Sequence, residues 1–168
     1  MLVIPQAILD NMVDHARALA PHECCGILSG KDHTVTEAYR ITNILATMND
    51  TELSRFEGAK LSDLQRLSPE ERADIAFQMD AREMALAQRD IRSKESEMLA
   101  FYHSHTASPA RPSQTDITMA MEFESYRSKL NLPEPFHLII SLEKPNHPIT
   151  KAFRIQHSQA TEISLRIL

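Results

Sequence analysis

Glycine is scarce in this chain, with only 3 residues in 168. A loop that cradles phosphate needs several glycines in close succession, and neither a Walker nor a dinucleotide fingerprint is present. Cysteine is limited to the adjacent pair Cys24 and Cys25. Neighbouring cysteines seldom bridge, because disulfide geometry asks for Cα atoms further apart than one peptide bond sets them. Without a framework of bridges, the expected compartment is the cytoplasm. Long basic runs are missing and the formal net charge is -5. Nucleic acid and anionic membrane are therefore set aside as partners on electrostatic grounds. No apolar stretch approaches the roughly 20 residues that span a bilayer. The opening segment, MLVIPQAILD, lacks a basic region and a sustained apolar run, so no signal peptide is expected. What is left reads as one globular domain with room for a real core.

Hydrophobic spacing supplies the elements. Ile8, Leu9, Met12, Val13, Ala16 and Leu19 recur at helical intervals between Pro5 and Pro21. The CCGILSG stretch predicts a short buried strand. Residues 35–44 predict another, forming a hairpin that turns near Gly30-Lys31-Asp32. Residues 46–74 are polar and turn-rich and read as an insertion or mobile segment. A capping signal, Ser68-Pro69-Glu70-Glu71, predicts a short helix within it. Further on come a helix over 80–94, a strand over 97–105, a helix over 113–129 and strands over 136–143 and 149–156. The tail TEISLRIL predicts a last strand. The order gives an α/β (α+β) class, with a mixed sheet sandwiched between helices.

Chemistry concentrates in HSHTASPARPSQTD. His103 and His105 stand two apart at a strand end, so both imidazoles share one face. Asp116 follows in the first turn of the next helix, where the bend can return a carboxylate to the two rings. Two histidines, one carboxylate and an open fourth position make the donor set of a catalytic zinc. Such an ion brings the pKa of water to about 7. A base must then take the proton, and Glu23 is the candidate.

His103-x-His105, seven residues and then Ser113-x-x-Asp116, with a glutamate far upstream, resembles the JAMM motif of MPN-domain metalloproteases. Pro21-His22-Glu23-Cys24-Cys25-Gly26 and Phe77-Gln78-Met79-Asp80 resemble further strings of small, single-domain bacterial members. The resemblance covers about residues 3 to 155. It implies an MPN/JAMM domain with a partly curled, cytidine-deaminase-like sheet. It implies one zinc ion held by His103, His105 and Asp116, with Glu23 as general base. Ser113 resembles the serine that serves the oxyanion, and Ser104 sits inside the histidine pair as the family has it. The implied partner and substrate is a ubiquitin-like or sulfur-carrier protein, cut at its C-terminal tail as that tail pairs beside a sheet edge. Thr106 departs from the pattern. It stands where members usually carry proline, which implies a looser loop but no lost ligand.

Each residue also has a plainer reading. Ser-x-x-acid before Ile117, Ala120 and Met121 is a helix capping box. Cys24 and Cys25 read as structural core residues rather than zinc ligands, because free cysteine buries readily. Met79 and Met84 read as core packing, and Glu70–Asp74 as a solvated helix face. His15, His22, His33, His137, His147 and His157 form no ligand spacing. The alternative function is a non-catalytic MPN-type interaction domain, although such domains lose ligands and this chain keeps each one. A zinc deaminase would carry His-x-Glu and Pro-Cys-x-x-Cys signatures, and neither is present.

Overall fold

Pro5, with its φ already set for a helix and no N–H to leave unpaired, stands at the N-cap of the first helix. In the computed structural model, which describes residues 1–53, 62, 64–130 and 132–168, that helix is α1 (Gln6–Leu19). It buries Leu9, Met12 and Ala16. The strands are β1 (Leu2–Ile4), β2 (Cys25–Lys31), β3 (Thr34–Ile41), β4 (Glu97–His105), β5 (Phe136–Ser141), β6 (Ile149–Gln156), β7 (Gln159–Ile163) and β8 (Leu165–Ile167). The other helices are α2 (Asp50–Leu53), α3 (Pro69–Ile75), α4 (Ala81–Ser93) and α5 (Gln114–Leu130), with a 3₁₀ turn over Ile44–Ala46. Among the described residues no helix is long and apolar enough to cross a membrane.

The described strands form one sheet in the order β7-β6-β5-β4-β2-β3-β1-β8. β4 lies in its interior, antiparallel to β2 and parallel to β5. Alternation along β4 divides the core. Ala100 and Tyr102 join Leu2, Ile4, Met12 and Leu138 on the α1 side. Phe101 joins Cys25, Ile27, Phe77 and Met79, with Ala87 and Ile91 of α4. Ile139 and Phe153 pack with Ala120 of α5 on that second face. The mixed sheet between helices is thus as expected. Gly26 is required by close approach, because a Cβ there would lie 2.3 Å from the Tyr102 ring and 2.4 Å from the Tyr39 carbonyl.

Two expectations need correction. The tail is split: β7 continues the β6 hairpin, while β8 crosses to pair in parallel with β1. β1 itself has only three residues, too short to show a period of two. The strand expected over 35–44 ends at Ile41, and Ile44 opens the 3₁₀ turn.

Of segment 46–74, residues 54–61 and 63 lie outside the described residues. Met48, Leu53, Leu64 and Ala73 of the remainder form a small core with Leu45 and Ala76, which flank the segment. The Ser68–Glu71 capping box is formed, with Ser68 Oγ accepting from the Glu71 amide. Arg72, expected on a solvated face, is 3% exposed. It donates to the Leu64 carbonyl at 2.8 Å and the Met48 carbonyl at 3.4 Å, and pairs with Asp50 at 2.8 Å.

Candidate metal centre

β4 delivers both histidines to the α4 and α5 face, with ring centroids 5.0 Å apart. The two Nε2 atoms are 3.1 Å apart. His103 Nε2 lies 3.2 Å from Asp116 Oδ1, and His105 Nε2 lies 3.2 Å from Asp116 Oδ2. All three residues are buried, and their ligand atoms lie within 4.8 Å of one another, a group that can hold a metal ion. His105 Nδ1 donates to the Pro109 carbonyl at 3.0 Å. That bond places the Nε2 lone pair toward the other two donors, as a ligating histidine requires. Phe77 stacks on His103, with centroids 4.7 Å apart and planes 30° from parallel.

Asp116 is fixed by the start of its own helix. Ser113 Oγ accepts from the Asp116 amide at 3.1 Å, and the Ser113 amide donates back to Asp116 Oδ2 at 2.7 Å. This is a capping box with aspartate at its third position. The Ser113 hydroxyl also donates to Oδ2 at 2.8 Å. The cap and the candidate ligand are therefore one arrangement. Burial pushes the Asp116 carboxyl up, but the two histidines and the Ser113 amide outweigh it and hold the group well below the usual carboxylate range. For His105, burial disfavours the charged ring, and Asp116 and the Pro109 carbonyl reverse that into a raised pKa.

Glu23 approaches from β2. Cys25 pairs with His103, and the ladder runs one step further: Cys24 N–H donates to Ser104 Oγ at 2.8 Å and Ser104 N–H to the Cys24 carbonyl at 3.1 Å. Two residues before Cys25, Glu23 falls on the same face as His103 and His105. It is 5% exposed, and its Oε2 is buried with no hydrogen-bond partner among the described residues. Burial raises its pKa well above an ordinary glutamate's, helped by the charges of Asp116 and Asp74. An unpaired buried carboxylate oxygen that feels the charge of Asp116 fits a site built to receive a cation and a proton-carrying ligand.

The chain belongs to the prokaryotic JAB-domain family. The family's model, described as prokaryotic homologs of the JAB domain, matches residues 5–156. The chain is similar to the CysO-cysteine peptidase of Mycobacterium tuberculosis, 24% identical over 168 residues, which cover 100% of this chain and 92% of the relative. It is similar to the desampylase of Haloferax volcanii, 30% identical over 113 residues, 64% of this chain and 63% of the relative. Protein DSY2949 from Desulfitobacterium hafniense has the same fold, with TM-score 0.70 and 28% identity over 100% of this chain and 93% of that one. AF2198, a JAB1/MPN domain protein from Archaeoglobus fulgidus, aligns with TM-score 0.53 and 14% identity over 99% and 97%. The MPN/JAMM fold and the kinship that the motif implied are thereby borne out.

The surroundings of this JAB-domain site agree with some expectations and correct others. The Thr106 hydroxyl donates to the Pro21 carbonyl at 3.1 Å, tying the loop after β4 to the approach of Glu23. It therefore fastens the loop by a side chain where the family's usual proline would stiffen the backbone. β4 has β2 and β5 on either side, with His103 opposite Cys25 of β2 and His105 opposite Ser141 of β5. Cys24 and Cys25 are free and buried, and burial raises both thiol pKa values. Neither belongs to the donor group. Met79 is core, and with Met84 it also lines a cavity of about 200 Å³ beside His103 and Asp116. His137 lines the same cavity, with burial lowering its pKa to about 4. Nothing in the sequence spacing marked His137, Phe77 or Ser104 Oγ as supports of the site. The Phe77 string entered only through the family resemblance.

Proposed function

We propose that this chain is a zinc-dependent metallopeptidase that hydrolyses a peptide or isopeptide bond at the C-terminal tail of a ubiquitin-like or sulfur-carrier protein. The observation that carries the reading is the buried Glu23, its Oε2 without a hydrogen-bond partner among the described residues, beside the converging His103, His105 and Asp116. Two imidazoles and one carboxylate with a side left open fit a catalytic zinc. When bound, zinc supplies Lewis acidity toward a carbonyl and toward water, whose pKa it brings to about 7.

The chain's own residues do the rest. His103, His105 and Asp116 hold the ion, with Asp116 oriented by the Ser113 cap. Glu23, its proton affinity raised by burial, takes a proton from the attacking water as the carbonyl carbon–oxygen bond forms. It returns that proton to the amine as the carbon–nitrogen bond breaks. Ser113 lies beside Asp116, and rotation of its hydroxyl away from Oδ2 turns the hydrogen toward the developing oxyanion. Residues 46–74 act as an insertion on a single JAMM/MPN domain and help grip the substrate.

The relatives' names support the substrate class, since one is a CysO-cysteine peptidase and another a desampylase. The test incubates the zinc-loaded protein with several carrier proteins extended beyond a Gly-Gly tail, read by mass spectrometry. Cleavage after the tail is expected. Binding without cleavage would favour a non-catalytic interaction domain. Cleavage of unstructured peptides alone would leave the chemistry standing and remove the substrate.

A further inference from the structure

Asn43 follows β3 and is buried. Its Nδ2 donates to the Glu23 carbonyl at 3.0 Å and to the Ala76 carbonyl at 3.1 Å. Its Oδ1 accepts from the Leu45 amide at 3.2 Å and the Gln78 amide at 3.1 Å. Both hydrogens and both lone pairs of one side-chain amide are thus satisfied. Capping the 3₁₀ turn over Ile44–Ala46 uses only the Leu45 bond. The other three reach across the fold, to the residue that bears the candidate base and to the residues on either side of Phe77. Phe77 is the ring stacked on His103.

Glu23 has no hydrogen bond on Oε2 among the described residues, so the place of its carboxylate depends on where its backbone stands and on the packing that buries it. That backbone is clamped on both sides. The Glu23 amide donates to the Ala73 carbonyl of α3 at 2.7 Å, and the Glu23 carbonyl accepts from Asn43. We infer that Asn43 is a positioning residue, which sets the Glu23 peptide and the Phe77 segment in one frame and so aims the base at the three candidate ligands. The inference rests on Glu23 acting as the base, as proposed above.

Asn43→Asp separates the two halves of this amide. It keeps an acceptor for Leu45 and Gln78, and it puts an oxygen without hydrogen against the Glu23 and Ala76 carbonyls. Zinc content is expected to stay at the parent level. The kcat should fall between about tenfold and a hundredfold, the size expected for a misplaced reacting group. KM should stay within about twofold. In a Glu23→Gln background the same substitution should change kcat by less than about twofold, because the group being positioned is already gone. Equal losses in both backgrounds would mean a merely structural role and would overturn the inference, as would parent-like kcat for Asn43→Asp. If Asn43→Asp does not fold, Asn43→Ser enters the same cycle, with one donor kept and a smaller loss expected on the same pattern. Parent-like turnover of Glu23→Gln alone would remove the base assignment and this inference with it. An inactive Glu23→Gln with additive losses would remove only the role of Asn43.

Discussion

The candidate ligands and the candidate base are built in opposite ways. His103, His105 and Asp116 come from fourteen consecutive residues, one strand end and one helix start. Strand alternation aims the first two and a helix cap aims the third. Glu23 reaches the same place through bonds gathered from Asn43 and Ala73, with Arg72 of the same short helix buried beneath. The two histidines rest on the interior of the sheet and Asp116 on the start of α5, while the base is tied through Ala73 to a small core around Leu45, Met48, Leu53 and Leu64. The lesson is that metal binding and proton transfer depend on different parts of the fold and should fail separately.

Substitutions can break that separation or sharpen it. The largest effect is expected from His103→Ala or His105→Ala, each of which should abolish stoichiometric zinc, about one per chain in the parent by metal analysis. Activity should vanish with the metal. Next is Ser113→Ala. If its hydroxyl serves the oxyanion, turnover falls on the order of a hundredfold. If it only caps α5, stability drops by about 1 kcal/mol and turnover holds. Melting and turnover measured together decide between them. Arg72→Met addresses the other region. It takes the donor from the Met48 carbonyl and one of two donors from the Leu64 carbonyl, which keeps the Leu67 amide, and should cost about 2 kcal/mol in denaturant unfolding, with zinc content kept.

Smaller still is the stability change of metal-free Glu23→Gln. In the parent, the raised pKa of Glu23 means that the folded state binds its proton more firmly than the unfolded state. Stability from that proton is complete below the unfolded glutamate's pKa of about 4.3 and is lost as pH rises through the folded value. The glutamine variant should therefore match the parent in acid and unfold at higher denaturant near neutral pH. A parent that is the more stable one at neutral pH would contradict the buried, unpaired carboxylate. The smallest effect is expected for Cys24→Ala, which should leave zinc content unchanged and so remove the thiol from the ligand question.

The two regions also differ in how far they could be read from residues alone. The His-x-His pair and the helix start carry local periodicities, so β4 and α5 emerge within a residue of their expected bounds. Ser113 and Asp116 were legible as a cap for the same reason. Asn43, Phe77 and Arg72 carry no such signal. Their importance lies in bonds that reach 20 to 35 positions along the chain for Asn43, and in burial that an arginine in a charged run does not announce. Even Glu23 drew attention only through the family's pattern, because a lone glutamate before a strand looks like surface. The β1–β8 pairing was hidden by length, since three-residue strands show no alternation. Thr106 shows the converse: a departure read as loosening turns out to supply a hydrogen bond to Pro21.

In the proposed reaction Glu23 supplies the proton transfer while other residues hold the ion. The direct test is the turnover of Glu23→Gln on an extended carrier protein, measured at full zinc occupancy beside the parent. A loss of about a hundredfold to ten-thousandfold is expected, the usual worth of a general base, with zinc still bound at about one per chain. Parent-like turnover of the zinc-loaded variant would contradict it.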